Sequence, residues 1–254
     1  MLFDSHAHLD DDKFNGDRET VISKIAETGI SYVVNVGSDM DSSIKSVELS
    51  SRYPFIYAAV GIHPYDADQV NDETIERLRR LADNPKVVAI GETGLDYHFD
   101  DAPRQVQIQA FRRQIKLADE LGLPVIIHDR EAHHDMMEVL FSERPANAII
   151  HCYSGSVEMA EELVKMGYYI SFSGTVTYKN AVKLKDVAAM VPDDKLLIET
   201  DSPYLAPEPV RGTRNDSANV RFTAEKIAQI RGTDFQTVAQ MTSKNAKRVY
   251  GIDE

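Results

Sequence analysis

Six residues of this 254-residue chain have types and spacings suited to gripping a cation: His6, His8, Glu92, His128, His151 and Asp201. In His6-Ala7-His8 the imidazoles are two positions apart, so an extended strand sends both to one face. Two imidazoles converging with the carboxylates of Glu92 and Asp201 make a site for a divalent cation such as Zn, Mn or Ni. His128 and His151 could hold a second ion, and Glu92, with two oxygens, is the natural bridge. Paired ions about 3.5–4 Å apart can activate water and clamp a phosphate at once. A lone histidine at a strand end is more often hydrogen-bonded or solvated than a ligand. That plain reading suits His98, His133 and His134, but not a set in which five of eight histidines fall at comparable places.

What must position them is a series of short apolar, β-branched segments alternating with longer amphipathic ones. The expected strands are Leu2–His6, Tyr32–Gly37, Ile56–Gly61, Val87–Glu92, Val125–His128, Ala148–His151, Tyr169–Ser173 and Leu196–Glu199. Helical patterns lie between, such as Arg104–Leu121 with Phe111, Ile115, Ala118 and Leu121 on one stripe. Gly29 and Gly122 stand where left-handed C-terminal residues are expected. Eight strands alternating with helices over about 250 residues predict a (β/α)8 TIM barrel, residues 1–254 as a single domain. The rival, an open doubly wound sheet, usually brings a glycine-rich phosphate turn, and no G-x-G-x-x-G or G-x-x-x-x-G-K-[ST] follows any strand. Barrel active sites lie at the C-terminal ends of the strands, where these histidines and carboxylates collect; His63, after the third strand, belongs with them.

Other residues near those ends have two readings each. Tyr97, Tyr153 and Tyr204 could stack on bases or simply pack the rim. Arg211 and Arg214, in the loop after the eighth strand, suit phosphate recognition, against the ordinary alternative of an internal ion pair. Cys152 adjoins His151, but strand alternation turns it away from the barrel centre, as a small packing residue. No Ser-His-Asp arrangement or G-x-S-x-G elbow appears, which disfavours covalent acyl chemistry.

Composition bounds the partners. The chain is 43% hydrophobic and 27% charged, with 13 Gly and 10 Pro, which is ordinary globular usage. Its net charge of −13 excludes a non-specific DNA packager, though not a nuclease whose bound cations invert the field locally. One cysteine forbids an internal disulfide and fits a reducing cytosol. The first ten residues put acid and histidine where a signal peptide needs a basic patch and an apolar core. The apolar runs are strand-sized, so no membrane span is expected and a cytoplasmic protein is.

Asp4-Ser5-His6-Ala7-His8-Leu9, Gly61-Ile62-His63-Pro64, Gly91-Glu92-Thr93-Gly94-Leu95-Asp96-Tyr97, His128, His151-Cys152-Tyr153-Ser154-Gly155 and Glu199-Thr200-Asp201-Ser202-Pro203-Tyr204-Leu205 together resemble the TatD family of metal-dependent deoxyribonucleases. The resemblance runs in order from residue 2 to about residue 250. It implies a TIM barrel of the amidohydrolase superfamily holding one or two divalent ions, with Mg, Mn, Zn and Ni not distinguished. It also implies phosphodiester hydrolysis, typically 3′-to-5′ exonuclease action on single-stranded DNA with RNA sometimes accepted. A monomer is expected. By matching positions, His6, His8, Glu92 and Asp201 would hold one ion, and Glu92, His128 and His151 the other. His63 would sit near the scissile phosphate.

The expected mechanism is attack by a metal-bound hydroxide, with Asp201 taking or orienting its proton and His63, helped by Arg211 or Arg214, steadying phosphoryl charge. Arg211-Gly212-Thr213-Arg214-Asn215 resembles the family's R-G-x-R-N loop, but Asp216-Ser217 follows where Glu-Pro is expected. Two other functions remain open to the sequence. One keeps the barrel and metal for deacylation, such as removal of D-amino acids from tRNA; Glu92 in place of the superfamily's carboxylated lysine speaks against most amidohydrolases. The other is a non-catalytic binding barrel, which predicts broken ligand sets.

Overall fold

Strand β1 (Leu2–Ala7) is buried along its whole length, as are most residues of the strands that follow, because a parallel strand covered on both faces has no water-facing side. These are β2 (Ile30–Val36), β3 (Ile56–Val60), β4 (Val87–Asp96), β5 (Val125–Arg130), β6 (Ala148–Ile150), β7 (Tyr169–Phe172) and β8 (Leu196–Ile198). Helices α1 (Arg18–Glu27), α2 (Met40–Arg52), α3 (Asp72–Ala82), α4 (Arg104–Leu121), α5 (His133–Glu143), α6 (Val157–Lys165), α7 (Val182–Met190) and α8 (Val220–Arg231) alternate with them, and α9 (Phe235–Tyr250) ends the order. This computed structural model describes residues 1–99 and 102–252. The strands form one sheet in sequential order, β1 to β8, and are parallel in every described pairing. The fold class is the expected (β/α)8 barrel.

The chain divides into two compact units, Met1–Asn35 with His151–Glu254, and Val36–Ile150. In the first, β1 pairs with β2 and β7 with β8. There the Ser5 hydroxyl donates to the Ile198 carbonyl at 2.9 Å, and Tyr250 of α9 donates to the Ser5 carbonyl at 2.8 Å. In the second, β3, β4, β5 and β6 pair in succession.

Strand β4 runs four residues past its expected end at Glu92. Gly91-Glu92-Thr93-Gly94 reads as a turn by composition, yet Gly94 pairs with His128 and Asp96 with Arg130. Both glycines have positive φ, +146° and +140°, and a Cβ on Gly94 would lie 2.0 Å from the His128 carbonyl oxygen. Only glycine lets these two ligand-bearing strands approach so closely.

Helix α4 spans the expected range and stops at left-handed Gly122, φ +67°. Its Phe111, Ile115 and Ala118 are buried, worth roughly 1.5–3 kcal/mol for a side chain of phenylalanine's size. The buried face also carries Gln107 and Gln114, which no apolar stripe announces.

Candidate metal centre

In the first unit the ends of β1 and β8 are laced together. Asp201 N–H donates to the His6 carbonyl at 2.9 Å and His8 N–H to the Ser202 carbonyl at 2.7 Å. This brings His6 Nε2 and His8 Nε2 to 3.1 Å, and puts Asp201 Oδ1 3.4 Å from His8 Nε2 and 3.7 Å from His6 Nε2. Donors about 2.0–2.2 Å from one cation are themselves separated by roughly 3–4 Å, so all three spacings fit a shared ion. Burial pushes the Asp201 carboxyl up, but the His8 hydrogen bond and the charges of His6 and His151 more than offset it and hold the group below its ordinary value. The Asp201 backbone is left-handed, φ +55°, a conformation non-glycine residues rarely adopt outside constrained sites.

His151 stacks on His6 with ring centroids 4.0 Å apart. Its Nδ1 lies 3.3 Å from Glu199 Oε1, which also accepts the Cys152 N–H at 2.7 Å, while the Ser171 hydroxyl donates to Oε2. His6, His151 and Glu199 thus form a three-donor group with every donor atom within 4.8 Å of the others. Beneath them, Asp4 accepts from the backbone and hydroxyl of Thr200 at 2.8 and 2.6 Å, and burial pushes its carboxyl up to about 7.

The second unit holds a matching group, His63, Glu92 and His128, under the same 4.8 Å limit. Glu92 is fixed through its N–H, which donates to the Gly37 carbonyl at 2.8 Å. Glu92 Oε1 lies 2.8 Å from His128 Nδ1 and 3.7 Å from His63 Nε2. His128 Nε2 is 3.0 Å from Asp96 Oδ2, and the Tyr65 hydroxyl donates to the same oxygen at 3.0 Å. A carboxylate behind a histidine fixes its tautomer and ring orientation. Behind these strands Gln114 accepts from Ile62 N–H at 2.8 Å and donates to the Ile62 carbonyl at 2.9 Å and the Thr93 hydroxyl at 2.6 Å. One buried amide thereby ties the segment before His63 to the residue after Glu92. In both units the donor chemistry, imidazole plus carboxylate, fits a divalent cation.

Sequence reasoning singled out neither Glu199 nor Asp96, although both were within its motifs. Glu199 is two positions from Asp201, the same spacing that drew attention to His6 and His8. Asp96 stood hidden by reading β4 as ending at Glu92. A further cluster, His134, Asp135 and Glu138, is largely exposed on α5 and has the look of a solvated helix face.

The residues expected to meet substrate differ in their surroundings. Tyr204 is 42% exposed, donates to Asp11 at 2.6 Å, and stands edge-on to the His8 ring at 6.3 Å. Tyr97 donates to Asp135 at 2.6 Å, with the Arg104 guanidinium 4.2 Å from its ring centre. Tyr153 calls for a correction: it is 2% exposed and its hydroxyl donates to the Ser156 carbonyl, so its ring is a packing element and not a stacking platform. Arg214 is held by both oxygens of Asp17, at 2.8 and 2.6 Å, and by the Lys13 carbonyl at 2.7 Å. That is the internal ion pair weighed above as the ordinary alternative. Arg211 is 3.6 Å from Glu208 and lies over the Tyr178 ring, its side chain 54% exposed. Asp216, where the resemblance leads one to expect glutamate, accepts the Ala218 N–H and starts a short helical turn.

The family model for TatD related DNase matches residues 3–251. A Bacillus subtilis protein described as an uncharacterized metal-dependent hydrolase, YabD, is 44% identical, with all of both chains covered. A Citrobacter koseri protein named 3′-5′ ssDNA/RNA exonuclease TatD is 33% identical over 99% of each chain. The crystal structure of YjjV, a TatD homologue from Escherichia coli, superposes with a TM-score of 0.92 at 30% identity, covering 99% of this chain and 98% of that one. A match of this extent, on a chain with two histidine–carboxylate groups at strand ends, leaves one placement: the chain belongs to the TatD family of metal-dependent hydrolases.

Proposed function

We propose that the protein is a 3′-to-5′ exonuclease of single-stranded DNA that also accepts RNA, working as a cytoplasmic, single-domain monomer. The observation that carries the reading is the spacing of His6, His8 and Asp201 in the first unit, 3.1–3.7 Å between donor atoms, and the second unit has its own group, His63, Glu92 and His128, with donor atoms within 4.8 Å of one another. The relatives named as exonucleases point to a phosphodiester as the bond cleaved. The metal ligands in this reading are His6, His8, Glu92, His128, His151 and Asp201, holding one or two ions.

A bound divalent cation supplies Lewis acidity, lowering the pKa of water and neutralising phosphoryl oxygens. Asp201, ionised and next to both imidazoles, takes up or orients the proton of the attacking water. His63 is held by its Nδ1, which accepts the Tyr65 N–H at 3.2 Å, leaving Nε2 on the Glu92 side to meet a phosphoryl oxygen. Tyr204 offers an exposed ring beside His8 for a base to stack on, and Arg211 offers an exposed guanidinium for a backbone phosphate. Tyr97, with the Arg104 guanidinium over its ring, and Arg214, held by both Asp17 oxygens and the Lys13 carbonyl, act by shaping their loops. No helix of the described residues is long and apolar enough to cross a membrane.

The test uses single-stranded DNA labelled at its 5′ end, with protein loaded in turn with Mg, Mn, Zn or Ni. A metal-dependent ladder that shortens from the 3′ end, and is absent with Glu92→Ala, is the expected result. Intact substrate under every metal would overturn the reading and direct the work to charged tRNA.

A further inference from the structure

Strand β5 ends on Arg130, two positions past His128, so period-two alternation sends both side chains to one face. Asp129, between them, belongs to the other face and meets His133 Nδ1 at 2.7 Å. The Arg130 backbone is fixed by the stretch of β4 beyond Glu92. It stands opposite Asp96 in the register, and its carbonyl accepts the Tyr97 N–H at 2.9 Å. Arg130 itself is exposed.

The guanidinium is held differently from others in the same unit. Arg79, Arg80, Arg112 and Arg113 each pair with a glutamate or aspartate. Arg130 lies instead over the Phe99 ring, 4.9 Å from its centre, and among the described residues no carboxylate is within ion-pairing distance of it. Glu131, the next residue, is drawn off to His98 Nδ1 at 2.7 Å. Burial and the Asp96 carboxylate push the Tyr65 hydroxyl above its ordinary value, and the Arg130 charge acts against them, so the cation stands near that hydroxyl too. A guanidinium resting on a ring keeps its charge and its fork of donors for another anion.

Asp96 joins this cation to the metal group. Its Oδ1 accepts the His98 N–H at 2.9 Å and the Phe99 N–H at 3.3 Å, which fixes the turn carrying the ring. Its Oδ2 accepts the Tyr65 hydroxyl at 3.0 Å and faces His128 Nε2 at 3.0 Å. The Tyr65 ring stands edge-on both to Phe99, at 5.7 Å, and to His63, at 4.2 Å. Phe99 is 55% exposed, so core packing does not account for it, whereas support for a solvent-facing guanidinium does.

We propose that Arg130 is a phosphate-binding residue of the site, its guanidinium steadied by Phe99 and Tyr65 and open to a phosphodiester of the bound strand. Bidentate pairing suits the free oxygens of that group. The inference rests on the nuclease reading, and it adds a fixed positive charge beside the His63–Glu92–His128 group, whose own donors are imidazole and carboxylate.

The test measures binding of a fluorescein-labelled oligothymidylate whose phosphorothioate backbone resists hydrolysis, by anisotropy on the Mn-loaded protein over a range of salt concentrations. Each phosphate contact on a single strand contributes about −0.7 to the slope of log K against log salt. Arg130→Gln should flatten the slope by about that amount and raise Kd about tenfold at low salt. Arg130→Lys keeps the charge and should keep the slope. Phe99→Leu removes the supporting ring and should weaken binding several-fold with the slope unchanged. A wild-type slope in Arg130→Gln overturns the proposal, and so does failure of the wild type to bind the strand. Displacement by inorganic phosphate as effective as by unlabelled oligonucleotide, at matched ionic strength, overturns the assignment to a strand. Cleavage of ordinary labelled DNA is followed on the same preparations. Cleavage with a KM indifferent to Arg130→Gln removes the phosphate contact alone, and Arg130-dependent binding without cleavage by wild type removes the nuclease reading alone.

Discussion

Gln114 is fully buried in α4, and replacing it by leucine tests how the second unit holds its ligands. The change removes three hydrogen bonds of 2.8, 2.9 and 2.6 Å. Each buried partner left without a bond costs about 1–3 kcal/mol, so the gross loss is about 3–9 kcal/mol. Leucine fills a similar volume and returns roughly 1–3 kcal/mol of apolar burial. At the midpoints, about 6 less about 2, a net destabilisation of about 4 kcal/mol follows, which at this size lowers the melting temperature by about 8–16 °C. The effect has a local signature, because Ile62 N–H loses its acceptor. Its hydrogen exchange should accelerate well before global unfolding does. Activity should fall in the folded fraction too, since Gln114 braces the chain on either side of the His63–Glu92 pair. A melting temperature within a degree of wild type, with Ile62 exchange unchanged, would show that the amide is incidental.

The Glu92 and Arg214 substitutions separate ligand from scaffold: Glu92→Ala should abolish activity, about a thousandfold or more, while Arg214→Ala should cost less than about tenfold. Near-equal losses would contradict both assignments. Asp96→Asn should weaken metal binding by about 10–100-fold in a direct titration with the fold retained, because Asp96 backs His128; unchanged affinity would refute the orienting role. The Asp129 hydrogen bond holds His133 above its ordinary imidazole value. The stabilisation is therefore complete below that ordinary value and lost as pH rises through the raised one. A wild-type minus His133→Gln stability difference that grew with pH would reverse this sign.

The pattern of strands was legible because β-branched runs between amphipathic segments leave little choice in a chain of this size. All eight strands and α4 stand within a few residues of expectation. The error at β4 has a physical source. Gly91 and Gly94 look like turn formers, but here their permissive backbones allow β4 and β5 to touch. His6 and His8 could be found from spacing alone, since two-residue periodicity fixes the face, and Asp201 from its place after the eighth strand. Glu199, Asp96 and Gln114 act across 48, 32 and 52 residues of sequence, with His151, His128 and Ile62 as partners. Long-range pairing of this kind leaves no local pattern. Arg214 shows the same limit in reverse: its loop position suggested a phosphate, and only the fold reveals Asp17 in its grip, 197 residues away.

The two units solve one problem by one device. A ligand-bearing turn at a strand end must hold its shape without regular pairing, and in each unit a buried amide spans it. Gln114 does this beside Glu92. In the first unit Asn215, fully buried, donates to the Thr200 carbonyl at 2.9 Å and the Tyr204 carbonyl at 2.7 Å, one residue before Asp201 and three after it. Between those anchors Asp201 keeps its left-handed backbone, a state that costs about 1–3 kcal/mol unless its surroundings impose it. Asn215→Ala releases both anchors and permits the turn to relax into an ordinary conformation. Metal affinity should then drop by about tenfold or more, as it would for a ligand no longer preorganised, with the backbone bonds from Asp201 and Ser202 to β1 still in place. Asn215→Asp retains the shape but replaces the amide donors with acceptors facing two carbonyls, and should be at least as damaging. If Asn215→Ala bound metal as tightly as wild type, the Asp201 conformation would have to be imposed by the backbone bonds to β1 alone.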